Sequence, residues 1–98
     1  MSEWTLRPAA ARDLSEIWDY TFDTWGLDQA EIYLEAIRVS FGRAAEAPTI
    51  GRPVGRPGKR QLRVKSGSHV IIYVGKHGGI DIVRVLHERM DLDRHRHL

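Results

Sequence analysis

Arg60, Arg63, Arg84, His87, Glu88 and Arg89 are the residues of this chain best suited to chemistry. Arginine clamps phosphate through paired hydrogen bonds, and histidine moves protons near neutral pH. Together they could compose an RNA-cleaving centre, with a base for the 2′-hydroxyl, an acid for the leaving oxygen and cations for the transition-state charge. Spacing argues against that assembly. Arg84 and His87 are three residues apart in a strand-like segment, which sends their side chains to opposite faces, and no second acid/base partner for His87 stands out. The alternative has His87 ending a strand with a backbone hydrogen bond, and the arginines solvated or paired with a partner's carboxylates.

Two further groups have a chemical and a structural reading. His95 and His97 with Asp91 and Asp93 could hold a metal, but their spacing matches no common zinc pattern and a polar tail would not hold the geometry. No metal and no cofactor are therefore expected. Trp18, Phe22, Trp25, Tyr33 and Phe41 could stack nucleobases, but they fall at helical spacing and read as core.

These residues need elements to position them. Glu3–Arg7 alternates Trp4 and Leu6 with polar neighbours, as a short strand does. Pro8 suits a first helical position. Leu14, Ile17, Trp18, Phe22 and Trp25 define one apolar face, and Gly26 ends that helix. Asp28 and Glu31 are spaced as a capping box, with Leu27 and Ile32 as its staple, and the second helix runs to Pro48. The helices' solvent faces are expected to carry Asp13, Glu16, Asp19, Asp23, Glu31 and Glu35. Residues 49–58 form a loop holding Arg52 and Arg56; without a G-x-x-x-x-G-K-[ST] pattern it reads as a connection, not a phosphate cradle. Three strands follow, at 59–65, 69–74 and 80–87, joined by short turns into an antiparallel meander. In the last, Ile80, Ile82 and Leu86 are expected to face one way, and Val83, Val85 and His87 the other. The fold class is α+β: an antiparallel helical hairpin on one face of a small, mainly antiparallel sheet, in the order β-α-α-β-β-β, whose other face carries a Lys/Arg stripe. Residues 1–98 form one domain, with 88–98 a polar, mobile tail.

Composition sets the outer limits. The 98 residues are 42% hydrophobic and 29% charged, ordinary for a soluble domain. With no cysteine there is no disulfide framework and no thiolate metal site. Val70–Val74, the longest apolar run, is too short to cross a bilayer, and the N-terminus lacks the pattern of a signal peptide. The chain is expected to be soluble and cytoplasmic. Its net charge of +2 conceals an asymmetry: residues 1–50 hold nine acids against four arginines, and residues 51–98 eleven Lys/Arg against four acids. A basic half suits an acidic partner, either nucleic acid or an acidic protein segment.

Four pieces of the chain carry a likeness. They are Pro8–Tyr20 (PAAARDLSEIWDY); Trp25-Gly26 with Ala30 and Tyr33; Pro48-x-x-Gly51-Arg52; and His69–Tyr73 with Ile82–His87 and Met90-Asp91. In order and spacing they resemble the ParE branch of the RelE/ParE toxin superfamily. The resemblance implies the toxin of a type II toxin–antitoxin pair, acting on DNA gyrase by binding rather than by catalysis so that replication is blocked. It also implies a ParD-like antitoxin whose disordered C-terminal segment folds onto the toxin. Antitoxin contacts are then expected along Arg60, Arg63 and Lys65 and near Arg84 and Arg89, with no sequence-specific nucleic-acid binding. The RelE branch implies instead a ribosome-dependent messenger endoribonuclease, with His87, Arg84 and Arg63 at its site. An inactive antitoxin-binding module is the third possibility. The modest net charge and the ParE-like last strand favour gyrase.

Overall fold

The computed structural model describes residues 2–55 and 60–89. Strand β1 (Glu3–Leu6) leads through Arg7 into helix α1 (Pro8–Trp25), with Pro8 at the first turn as expected. Helix α2 (Leu27–Glu46) follows after one residue. Gly26, at φ 92°, is that joint: its N–H bonds to Phe22 O (2.9 Å) and its carbonyl accepts Ala30 N (3.1 Å). A side chain would be strained in this left-handed conformation. Because Gly26 itself precedes the first helical residue, the Asp28/Glu31 box does not form; α2 has no side-chain cap, and Leu27 and Ile32 stay exposed. Asp28 still sits in the first turn, where the helix dipole favours a carboxylate.

A 3-10 turn (Pro48–Ile50) and the two-residue strand β2 (Arg52–Pro53) bring the chain to β3 (Gln61–Ser66), β4 (His69–Lys76) and β5 (Gly79–His87). Tyr73 anchors the turn, donating its hydroxyl to Pro48 O (2.8 Å) and accepting from Gly51 N (3.0 Å). The five strands lie in the order β1-β5-β4-β3-β2. The meander β3-β4-β5 is antiparallel as expected, and β1 pairs parallel with β5 over Gly79–Ile82. Gly79 permits that pairing, because a Cβ there would collide with Glu3 O.

Both helices cover one face of the sheet. Ala10 and Ile17 of α1 and Ile37, Phe41, Ala44 and Ala45 of α2 pack on Ile71, Tyr73, Ile80, Ile82 and Val85. Trp4 closes one side, 5.0 Å from Phe41 between ring centroids. Each fully buried large side chain contributes about 1.5–3 kcal/mol, so packing rather than helix propensity holds the hairpin in place.

A β-bulge alters the expected faces. Tyr73 pairs with Ile82 but Ile72 pairs with Arg84, leaving Val83 as the extra residue. Val85 therefore joins Ile80 and Ile82 in the core, while Leu86 joins Val70, Ile72 and Val83 in a second cluster. Strict alternation had put Leu86 with Ile80 and Ile82, and the extra residue reverses that phase.

Candidate functional site

The site begins where β1 ends. β1 covers β5 only to Ile82, so among the described residues the rest of that edge has no neighbouring strand. Asp13 of α1 is buried against it. Its Oδ2 accepts Val85 N (2.9 Å) and Arg84 Nε (2.8 Å), and its Oδ1 accepts a second Arg84 N–H (3.0 Å). The carboxylate thus replaces one bond of a missing strand and forms a two-point ion pair, which raises the Arg84 pKa further. Asp13 was expected on a solvent face of the helix; burial against the β5 edge places it here instead.

Beside this bracket lies a relay of aromatic and imidazole groups. Tyr33 accepts Ser68 N (2.9 Å), and its hydroxyl is hydrogen-bonded to His69 Nδ1 (2.5 Å). His69 meets His87 edge-on, with ring centroids 5.2 Å apart. His87 Nδ1 accepts Arg89 N (3.0 Å), the backbone bond expected of a strand-ending histidine. Burial, then the neighbouring His87, holds the His69 pKa below its ordinary value.

These groups line an open cleft of about 550 Å³ between the end of the hairpin and β4-β5, walled by Tyr20, Trp25 and Tyr33. The cleft also contains Asp13 and Glu16. Among the described residues Arg84 is the one Lys or Arg lining it, and it is already bound to Asp13. This arrangement repels a phosphate rather than cradling it. Arg84 and His87, expected on opposite faces, share the cleft because Arg84 sits at the bulge and turns to α1.

The other arginines lie elsewhere. Arg63 and Lys65 pair in register with Ile72 and Val70, on the sheet face away from the helices, and Arg52 stands opposite Arg63. The expected basic stripe therefore exists, beside an apolar cluster. Lys65 bonds Glu88 (2.8 Å), holding that carboxyl below its usual range. Arg60 and Arg89 are exposed, and Arg63 has no ion-pair partner among the described residues. Arg56 and the His95, His97, Asp91 and Asp93 set lie outside the described residues. Among those described, no acid, cysteine and histidine group could hold a metal.

His69 was missed as a site residue, and Tyr33, weighed as a stacking residue, was read as core. Counted back regularly from the Lys76↔Gly79 pair, Leu86 would oppose His69; the bulge puts His87 there instead. The aromatic set also divides. Phe41 is core and Tyr33 half-buried, but Phe22 and Trp25 are exposed, because Ala10, Asp13, Ile17 and Thr21 form the buried face of α1. Trp18 stacks on Phe22 at 6.3 Å.

Comparison with known proteins explains this architecture. Residues 5–92 match the family described as the ParE toxin of the type II toxin–antitoxin system parDE. Toxin ParE1 of Mycobacterium tuberculosis is 52% identical over 96 residues, covering 95% of this chain and 96% of its own. Toxin ParE1 of Caulobacter vibrioides is 35% identical over 96 residues, covering 97% and 98%. A solved chain from the chromosomal ParDE system of P. aeruginosa shares the fold, with a TM-score of 0.71 at 19% identity over 89% of this chain and 96% of that one. On this match along nearly its whole length, the chain belongs to the ParE toxin family of type II toxin–antitoxin systems.

Proposed function

We propose that this chain arrests growth by binding DNA gyrase in the cytoplasm and blocking replication, without cutting nucleic acid, and that a ParD-like antitoxin neutralises it. Family membership supports the toxin role. The cleft supports the non-enzymatic reading: Arg84, the guanidinium lining it among the described residues, is bound to Asp13, and Glu16 adds a second carboxylate. The antitoxin's C-terminal segment would lie along Arg60, Arg63 and Lys65 and reach Arg84 and Arg89. Charge-assisted pairs there would be strongest where water is excluded. No helix among the described residues is long and apolar enough to cross a membrane. The test is supercoiling by purified gyrase. Blocked supercoiling with trapped, cleaved DNA is the expected result, and full activity under excess folded chain refutes the reading.

The His69–His87 contact favours one alternative, a ribosome-dependent endoribonuclease, since it supplies the second imidazole such chemistry needs. Mapping of message ends in induced cells decides it. Codon-register cuts that vanish with His87→Ala would replace the gyrase reading.

A further inference from the structure

The hairpin near its Gly26 joint exposes apolar side chains, from the cleft wall at Tyr20 and Trp25 outward to Phe22, Leu27 and Ile32. Tyr20 is 69% exposed, Trp25 70% and Ile32 64%, with Phe22 and Leu27 close to half. The half-buried Trp18 and the exposed Phe22 and Trp25 follow at i, i+4 and i+7, so they form one stripe along α1. An exposed aromatic patch of this kind marks an interaction surface, and rigid aromatic side chains are the residue type that anchors interfaces.

Charge says what covers it. From residue 13 to residue 37 the chain has seven acids and no lysine or arginine. Asp13 is bound to Arg84, and Glu35 to Arg38 within α2 (2.6 Å). Glu16, Asp19, Asp23, Asp28 and Glu31 have no ion-pair partner among the described residues. On the helix, Asp19 and Asp23 run beside the aromatic stripe. Such a surface repels nucleic acid and acidic segments alike, and it attracts a cationic protein surface.

We propose that this acidic, aromatic hairpin end is the surface that seizes the toxin's target, and that it docks on a cationic, nucleic-acid-binding surface of that target. This rests on the target-binding reading above. It divides the molecule in two: the hairpin end meets the target, and the basic sheet face meets the antitoxin. Aromatic anchors would supply affinity, and the carboxylates orientation and on-rate.

The test is charge reversal. Asp19→Lys/Asp23→Lys alters two exposed residues without ion-pair partners, and circular dichroism confirms folding. Asp19→Asn/Asp23→Asn, which keeps side-chain size, is the milder second variant. The readouts are growth arrest on induction and inhibition of purified gyrase, with Arg43→Gln, at an exposed position in the last turn of α2, as the control away from the hairpin end. The expected result is at least a tenfold loss of potency for the reversal, a smaller loss for the amide variant, and unchanged potency for Arg43→Gln. Full growth arrest by the folded reversal variant overturns the proposal and leaves the gyrase reading intact. If instead the variants lose growth arrest while the unaltered chain never inhibits gyrase, the gyrase reading fails. The hairpin end then stands as the surface for another cationic target.

Discussion

Helices α1 and α2 carry five carboxylates, Glu16, Asp19, Asp23, Asp28 and Glu31, without ion-pair partners among the described residues, in the same layer as the exposed Tyr20, Phe22 and Trp25. On the outer face of the sheet, Arg63 and Lys65 flank Ile72 and Val70. Each surface sets one sign of charge beside exposed or half-covered apolar groups, and the signs are opposite. The difference reflects chain order. The acidic half of the sequence builds the helical layer and the basic half most of the sheet, so packing the layers turns charge separation along the chain into charge separation in space. A single sheet holding both signs would lose to internal pairing much of the field that selects partners.

Asp13 and Arg84 are where the halves meet, and cutting that link gives the largest expected effect. Asp13→Ala leaves a half-buried guanidinium unpaired and Val85 N unbonded. A loss of about 2–3 kcal/mol is expected, read as a fall in Tm of about 10–20 °C. If Tm is unchanged, the link between the layers is ornamental. Next comes the sheet face. Arg63→Glu reverses a charge without an internal partner among the described residues, so it should weaken ParD-like antitoxin binding about tenfold while leaving Tm within a degree or two. Calorimetry at two salt concentrations checks this, and the deficit should shrink at high salt.

The smallest effect belongs to the cleft between the surfaces. The folded pKa of His69 lies below its unfolded value. Its contribution to stability is therefore complete above the unfolded pKa, about 6.5, and declines as pH falls toward the folded pKa. Melting curves between pH 7.5 and 5 should show a modest loss of Tm that His69→Gln reduces. An identical slope in that variant would assign the pH dependence to other groups.

Most of the fold was legible because it rests on short-range signals. Pro8, Gly26 and Pro48 punctuate the helices, and Ser66-Gly67-Ser68 and His77-Gly78-Gly79 set the meander turns. Less of the site was legible, because it depends on features without a local signature. The Val83 bulge has no residue type that announces it, yet it decides which side chains share the cleft. Burial of Asp13 follows from β1 stopping at Leu6, seventy-six residues before its counterpart Ile82. The aromatic stripe on α1 misled because hydrophobicity at helical spacing signals an apolar face without saying what covers it. Here small and polar residues, Ala10, Asp13 and Thr21, take the inner positions with Ile17.

The parallel pairing of β1 with β5 also governs when this domain can exist. β1 is made first and β5 last among the five strands, yet β5 lies between β1 and β4 in the sheet. While the chain is being synthesised, β1 has no strand to pair with, and Asp13 has no arginine. The helical hairpin likewise lacks Ile80, Ile82 and Val85 from the floor it packs on. Domains fold as units, so the native domain assembles only after its last strand has emerged. A growing chain therefore offers no native toxin domain before β5 has been made, and a surface that depends on the assembled sheet cannot be recognised any earlier.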